Sequence, residues 1–180
     1  MGILRFISLA LLALALAACQ AGSEDASVAS SVDYCAIDAD GARLIAEGIL
    51  DLLGEPLPDA VGGMAIGADP ITAAVVTMAG VRGMRLKGIL VRKESKGHGT
   101  QKFVEGPVQP GEEVVIVEDV VTTGGSSLLA IERVEAFGLK VRRVVAIVDR
   151  MEGGANAFAE RGYAFDSLLT IRDLGIEPPG

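Results

Sequence analysis

Aromatic residues and histidine are scarce in this sequence. Aromatic residues make up 4% of the 180 residues, tryptophan is absent, and there is one histidine. Half of the residues are hydrophobic and 23 are glycine. A chain rich in valine, isoleucine, alanine and glycine but poor in aromatic residues is typical of an α/β domain with a parallel sheet. Its length is sufficient for one domain with a complete hydrophobic core.

Positive charge is scarce as well. The chain carries 16 lysine and arginine residues against 24 aspartate and glutamate residues, which gives a net charge of -8. This balance argues against a general nucleic-acid-binding surface, because a surface with net negative charge would repel a polyanion. Seven of the 16 cationic residues lie between Arg82 and Lys102, and none lies between Leu44 and Val81. A basic segment on an acidic chain indicates a local anion site; the alternative is a solvated charged loop.

An apolar stretch near the start is too short to span a bilayer. Phe6 to Ala18 comprises 13 residues, follows Arg5, and ends in Leu-Ala-Ala-Cys at Cys19. This arrangement resembles a bacterial lipobox, in which the cysteine is lipidated after cleavage. We therefore interpret residues 1–19 as a signal-like segment and Cys19 as a lipidation candidate. The alternative is a buried hydrophobic helix that belongs to the domain.

Cysteine gives no evidence for an oxidising compartment. The chain has two cysteines, and lipidation of Cys19 would leave Cys35 as the one remaining thiol, so that no intramolecular disulfide could form. We expect Cys35 to be a small buried hydrophobic residue. Residues 20–31 are small, polar and acidic, which predicts a flexible linker. The chain is thus divided into residues 1–19, a linker or remnant over residues 20–39, and a folded domain over residues 40–180.

Strands and helices are predicted to alternate through the domain. Asp40 is the predicted N-cap of the first helix, and Asp69, followed by Pro70, is the predicted N-cap of the second. Alternation of this kind indicates a central parallel twisted sheet with helices on both sides and right-handed crossovers. The predicted helices cover residues 40–53, 69–78, 126–138 and a short segment ending near 162; the predicted strands cover residues 59–66, 88–91, 114–117, 144–148 and 167–171, with the chain returning at 103–106.

The most informative stretch is VVIVEDVVTTGGSS, residues 114–127. Four apolar residues predict a buried strand, and Glu118 and Asp119 follow it directly. A loop of threonine, glycine and serine then leads into a helix. Backbone N–H groups and hydroxyls of such a loop can bind a phosphate, and the positive end of the helix dipole assists them. The two acids suit ribose hydroxyls, a cationic transition state, or water on a bound Mg²⁺.

Three other loops are expected near this stretch. The carboxyl ends of parallel strands meet at one edge of a sheet, which would place the segment Gly67-Ala68-Asp69 and the pair Asp149-Arg150 beside it. The loop from Arg92 to Thr100 is cationic and contains His98 between two glycines. Its Arg92, Lys93 and Lys96 can neutralise phosphate. A loop of this kind can exclude water and deliver positive charge to a leaving group.

Two of these stretches resemble a known family. VVIVEDVVTTGGSS is similar to the phosphoribosyl-pyrophosphate (PRPP) motif of type I phosphoribosyltransferases. VRKESKGHGTQKFVEG, residues 91–106, resembles the catalytic loop of orotate phosphoribosyltransferases, and its Arg-Lys-Glu-x-x-Lys-x-His-Gly pattern narrows the choice of base to orotate. GGMAIGADPI and the Asp149-Arg150 strand end also fit that family. The resemblance covers roughly residues 40–178 and implies the type I phosphoribosyltransferase fold.

The resemblance implies a role for each matching residue. The reaction would be displacement of pyrophosphate from C1 of PRPP by N1 of orotate, which gives orotidine 5'-phosphate in UMP biosynthesis. Mg²⁺ would be bound through PRPP and not by protein ligands directly. The enzyme would be a homodimer in which Lys96 and His98 reach the neighbouring subunit's site. The implied catalytic residues are Lys96, His98 and Asp119; the PRPP-binding residues are Arg92, Lys93, Lys96, His98, Glu118, Asp119, Val120, Val121, Thr122, Thr123, Gly124, Gly125 and Ser126; the orotate-binding residues are Thr122 and Arg150.

The sequence departs from the family pattern at its amino-terminal end. The family has a segment there with a Ser-Gly-Arg-Lys-Ser-like loop that helps to bind orotate and cover the site. Here the signal-like segment and linker stand in its place, with Asp33-Tyr34-Cys35 as a remnant, so we expect a reduced amino-terminal hood. An enzyme of this family is expected in the cytoplasm, whereas the lipobox-like segment suggests a membrane lipoprotein. The alternative function is a non-catalytic or other-base phosphoribosyltransferase-like binding module on a lipid anchor.

Overall fold

The computed structural model describes residues 28–94 and 103–178. Within these ranges a six-stranded sheet lies between two layers of helices. The helices are α1 (Val28–Ile37), α2 (Ala39–Leu53), α3 (Ala68–Val81), α4 (Gly125–Phe137) and α5 (Gly154–Glu160), with a 3-10 turn at Ile171–Leu174. The strands are β1 (Ala60–Met64), β2 (Lys87–Val91), β3 (Val104–Glu105), β4 (Glu113–Val121), β5 (Lys140–Asp149) and β6 (Ala164–Thr170).

The sheet has the strand order β3-β2-β1-β4-β5-β6. Five strands are parallel, as predicted, and the short edge strand β3 is antiparallel to β2. The chain proceeds from β1 to β2 and β3 on one side, and then crosses to β4 on the other side of β1. The point at which the winding reverses, between the carboxyl ends of β1 and β4, is where open α/β sheets bind ligands.

The core consists of two apolar layers, one on each face of the sheet. Alternate residues of β4 enter different layers, because successive strand side chains point to opposite faces. Val115 and Val117 pack with α1, α2 and α3, whereas Val114 and Ile116 pack with α4 and α5. Burial of the sheet on both faces explains why its strands are continuous runs of valine and isoleucine.

The predicted helix starts need correction. Asp38, not Asp40, caps α2, and its carboxylate accepts hydrogen bonds from the backbone N–H groups of Asp40 and Gly41 at 3.0 and 3.1 Å. The α3 helix begins two residues earlier than predicted, with Gly67 and not Asp69 at the N-cap position. Neighbouring aspartates are equally good caps by composition, so the backbone conformation decides which one acts.

Residues 28–31 are not the linker that the sequence predicted. They form the first turn of α1, in which Ser31 and Val32 are buried. Val32 and Cys35 belong to the same apolar layer as α2 and α3, so α1 is packed onto the domain that was predicted to begin at residue 40. The predicted burial of Cys35 is confirmed. The signal-like segment 1–19 and Cys19 lie outside the described residues.

No helix within residues 28–94 and 103–178 is long and apolar enough to cross a membrane.

Candidate active site

The loop between β4 and α4 forms a small cleft at the carboxyl edge of the sheet. It is lined by Glu118, Val120, Val121, Thr122, Gly124, Gly125, Ser126 and Ser127. Gly124 is the N-cap of α4 and has a left-handed backbone with φ of 81°. It offers no side chain to cap the helix, so the first N–H groups of α4 remain available to an anion. The cleft contains every residue of the predicted loop except Thr123, which is exposed next to it.

The shape of this loop depends on contacts with α5 that the sequence did not reveal. The backbone N–H of Gly154 donates to the Thr122 carbonyl at 2.9 Å. A Cβ atom on Gly154 would lie 2.4 Å from Val121 Cγ1, and one on Gly124 would lie 2.9 Å from Phe158 Cζ. Both distances are shorter than any ordinary contact, so the loop and the start of α5 approach closely only because both positions are glycine.

The strand β4 extends four residues further than predicted, so that Glu118 and Asp119 lie within it and not after it. Glu118 is 5% exposed, and its carboxylate accepts a hydrogen bond from the Ser127 hydroxyl at 2.6 Å. Burial raises the pKa of Glu118 to about 7; the Asp119 carboxylate contributes in the same direction, while the Ser127 hydroxyl and Lys93 oppose the rise. Glu118 is thus a buried acid that titrates near neutral pH.

Ser127 was not among the predicted site residues, although the sequence contains a pattern that could have identified it. It is fully buried on α4, on the same face as Ala130, Ile131 and Val134. A hydroxyl on an apolar helix face needs a buried partner, and Glu118 provides one.

The next residue along the strand, Asp119, accepts a hydrogen bond from the Val120 N–H at 2.6 Å.

Asp119 faces the loop that follows β1 and the helix α1. A Cβ atom on Gly67 would lie 2.6 Å from Asp119 Oδ2, so glycine permits the close approach of that loop. Asp33 of α1 lies within hydrogen-bonding reach of Asp119; burial and the Asp119 carboxylate raise the pKa of Asp33. The Asp33-Tyr34-Cys35 segment is therefore adjacent to the second acid of the motif, although Tyr34 itself is 51% exposed.

Two cationic residues follow β2 on the other side of β1. Arg92 forms an ion pair with Glu105 of β3, with Nε 2.6 Å from Oε1, and this contact raises the pKa of Arg92. Burial raises the pKa of Asp69 at the start of α3, and the positive charge of Arg92 opposes this rise. The positive charge of Lys93 likewise opposes the rise in the pKa of Glu118. Lys96 and His98 lie outside the described residues.

The end of β5 places Arg150 beside the β4–α4 loop. Its backbone N–H donates to the Val121 carbonyl at 2.9 Å, and its guanidinium forms an ion pair with Glu152 at 2.7 Å. Asp149 is buried and accepts a hydrogen bond from the Met151 N–H at 2.8 Å. Met151 has a positive φ of 58°, which is uncommon for a residue other than glycine. This tight turn fixes where the Arg150 side chain leaves the sheet edge.

Comparison with known proteins agrees with this geometry. A family model described as the phosphoribosyl transferase domain matches residues 36–162. The orotate phosphoribosyltransferase of Rhodopirellula baltica is 58% identical over 144 residues, which cover 77% of this chain and 75% of that protein. The chain belongs to the orotate phosphoribosyltransferase family.

Solved structures of phosphoribosyltransferases share the fold. The phosphoribosyltransferase of Corynebacterium diphtheriae superimposes with a TM-score of 0.80 at 30% identity, over 94% of this chain and 99% of that chain. The orotate phosphoribosyltransferase of Mycobacterium tuberculosis H37Rv, crystallised in complex with PRPP, gives a TM-score of 0.78 at 28% identity, over 93% and 92% of the two chains. The family and the fold that the sequence motifs predicted are both confirmed.

Proposed function

We propose that this chain transfers the ribose 5-phosphate group of PRPP to N1 of orotate, which releases pyrophosphate and forms orotidine 5'-phosphate. The observation that carries this proposal is the β4–α4 loop, in which an uncapped helix start and the Glu118 carboxylate line one cleft, with Asp119 as the next residue of β4. The first N–H groups of α4, with the side chains of Thr122, Thr123 and Ser126, would bind the 5-phosphate. Asp119, and Glu118 once ionised, would accept hydrogen bonds from the ribose hydroxyls.

Charge is arranged to suit an oxocarbenium-like transition state. The reaction places positive charge on the ribose and additional negative charge on the departing pyrophosphate. Carboxylates beside the ribose would stabilise the former, and Arg92 and Lys93 would stabilise the latter. Lys96 and His98 keep their predicted role on the same leaving group. The charges of Arg92 and Lys93 already act on Asp69 and Glu118, which supports placing the two sets of charges around one site.

Mg²⁺ is proposed to enter as a complex with PRPP. Among the described residues no group of three or more histidine, cysteine, aspartate or glutamate side chains could hold a metal ion by itself. Bound Mg²⁺ would reduce the negative charge of the pyrophosphate and so make it a better leaving group.

Orotate would bind between the β4–α4 loop and the end of β5. Thr122 and Arg150 are the proposed contacts, and the Arg150 guanidinium provides the positive charge that the orotate carboxylate requires. Glu152, which holds that guanidinium at 2.7 Å, fixes its direction. The predicted homodimer, with Lys96 and His98 shared between subunits, and the cytoplasmic location expected for pyrimidine synthesis complete the proposal. Lipidation of Cys19 remains a prediction from residues 1–19.

The decrease in orotate absorbance in the presence of PRPP and Mg²⁺ tests the proposed function. Turnover is expected with orotate and not with adenine or hypoxanthine, and one pyrophosphate should be released for each orotate consumed. Arg150→Met should raise the KM for orotate by about tenfold or more, because a charge-assisted hydrogen bond is lost. PRPP binding without turnover of any base would refute catalysis and favour the non-catalytic binding module.

A further inference from the structure

Arg133 of α4 contacts the chain on both sides of the segment 95–102. Its guanidinium donates through Nη1 to the Arg92 carbonyl and through Nη2 to the Lys93 carbonyl, the latter at 2.7 Å. Nη1 also lies 3.7 Å from the sulfur of Met64 at the end of β1. One side chain thus connects α4 to the ends of β1 and β2.

The face of the same guanidinium covers an aromatic ring. Arg133 Cζ lies 4.4 Å from the centre of the Phe103 ring, a favourable geometry for a cation–π contact. Phe103 is in turn tied to Arg92, whose N–H donates to the Phe103 carbonyl at 2.8 Å. The residues that precede and follow the segment 95–102 are therefore held by one planar cation.

These contacts differ from those of an ordinary surface arginine. The exposed Arg161, for example, forms a long ion pair with Glu132 at 3.9 Å, and such a pair contributes little to stability. Arg133 instead directs two N–H groups at two consecutive carbonyls and stacks on a ring. A guanidinium can do all of this at once because it is planar and carries five donors, whereas a lysine ammonium cannot.

We infer that Arg133 is a positioning residue that fixes the backbone of Arg92 and Lys93, so that their side chains are directed at the pyrophosphate of PRPP. Both hydrogen bonds of Arg133 end on backbone carbonyls, so Arg133 holds neither the Arg92 side chain, which is paired with Glu105, nor the Lys93 side chain. The inference rests on the proposed function only for the identity of the ligand. The ordering of the backbone at Arg92, Lys93 and Phe103 by Arg133 does not depend on the proposed function.

Binding of two related ligands tests the positioning role. Ribose 5-phosphate lacks the pyrophosphate, so it would meet the β4–α4 loop and the acids but not Arg92 or Lys93. Arg133→Met is expected to raise the Kd for PRPP by about tenfold, the size of one charge-assisted hydrogen bond, and to leave the Kd for ribose 5-phosphate within about twofold. Arg133→Lys should recover little of the lost PRPP affinity, because lysine keeps the positive charge but not the planar guanidinium that donates to two carbonyls at once.

Arg142→Met is the matched control. Arg142 also donates to a backbone carbonyl, that of Pro56 at 2.5 Å, but it lies on β5 at the opposite end of the sheet from the site. The Arg142→Met variant should therefore bind both PRPP and ribose 5-phosphate with unchanged Kd. Equal weakening of both ligands by Arg133→Met would show a general structural role, and full recovery by Arg133→Lys would show that charge alone matters; either result overturns the inference.

Hydrogen exchange separates failure of this inference from failure of the proposed function. In Arg133→Met, peptides that contain Arg92, Lys93 and Phe103 should exchange about tenfold faster than in the parent protein, with no change at α2. Unchanged exchange at these residues overturns the inference whatever the ligand is. If the parent protein binds PRPP no more tightly than ribose 5-phosphate, the pyrophosphate role of Arg92 and Lys93 is wrong, whereas faster exchange would still support the ordering by Arg133.

Discussion

The two sides of the site are built in different ways. The β4–α4 loop is shaped by backbone: a left-handed Gly124, the start of α4, and the close contact of Gly154 with Thr122. The end of β2 is shaped by long side chains, through the Arg92–Glu105 ion pair and the guanidinium of Arg133. A backbone-built loop tolerates almost no added volume, whereas a side-chain-built segment loses its order in steps as single contacts are removed.

The largest effect is expected at Gly154. Gly154→Ala would force a Cβ atom to within 2.4 Å of Val121 Cγ1 and 2.8 Å of the Thr122 carbonyl, which must shift the β4–α4 loop. A displacement of about 1 Å at a substrate-positioning loop lowers rates by about 100-fold, and we expect a loss of that size in kcat/KM for PRPP. Steady-state kinetics at saturating orotate measures it.

Gly80→Ala is the matched control for this change. Gly80 lies near the end of α3, and a Cβ atom there would contact nothing within 4 Å. The same substitution should therefore leave kcat/KM unchanged and raise the free energy of unfolding by about 0.5–1 kcal/mol, because alanine favours a helix over glycine. Comparable losses of activity in both variants would show that the close contact at Gly154 is unimportant.

The next largest effect is the pH dependence of stability that Glu118, the buried acid of the β4–α4 side, is expected to cause. The folded-state pKa of Glu118 is raised from 4.5 to about 7, so its contribution to stability is complete below pH 4.5 and is lost as the pH rises through 7. The ionised, buried carboxylate should lower the free energy of unfolding at pH 8, relative to pH 4.5, by on the order of 3 kcal/mol. Glu118→Gln should remove this part of the pH dependence.

Urea unfolding at pH 5 and pH 8 measures this prediction. Glu118→Gln should be more stable than the parent protein at pH 8 and close to it at pH 5, since glutamine can still accept the Ser127 hydrogen bond. Ser127→Ala should increase the pH dependence, because that hydroxyl favours the ionised form of Glu118. A stability difference of the same size at both pH values would contradict the assignment of a raised pKa to Glu118.

The sequence predicted the backbone-built side better than the other. Runs such as Val114 to Val117 identify a buried strand, and the threonine and glycine residues that follow identify the loop. The strand continues through Glu118 and Asp119, whose hydrogen-bond partners are the Ser127 hydroxyl and the Val120 N–H. The apolar run that predicted the strand ends at Val117 and does not include these acids. The expected substrates, PRPP and orotate, were inferred from the family motifs and not from the periodicity of the sequence.

Long-range contacts explain most of what was missed. Arg133 on a helix looks like a solvated charge until β2 and Phe103 are folded against it. The helix α1, VASSVDYCAI, is rich in valine and serine, which are weak helix formers, and its helical state depends on packing of Val32 and Cys35 into the core. In both cases tertiary contacts override the local preference.

One pair of titrations tests most directly whether the two sides act separately. Ribose 5-phosphate and Mg²⁺-pyrophosphate are each titrated into Gly154→Ala and Arg133→Met by calorimetry. A crossed result is predicted: Gly154→Ala weakens ribose 5-phosphate and spares pyrophosphate, whereas Arg133→Met weakens pyrophosphate and spares ribose 5-phosphate. If each variant weakens both ligands to the same extent, the site is a single cooperative unit and the division into a backbone-built and a side-chain-built half is wrong.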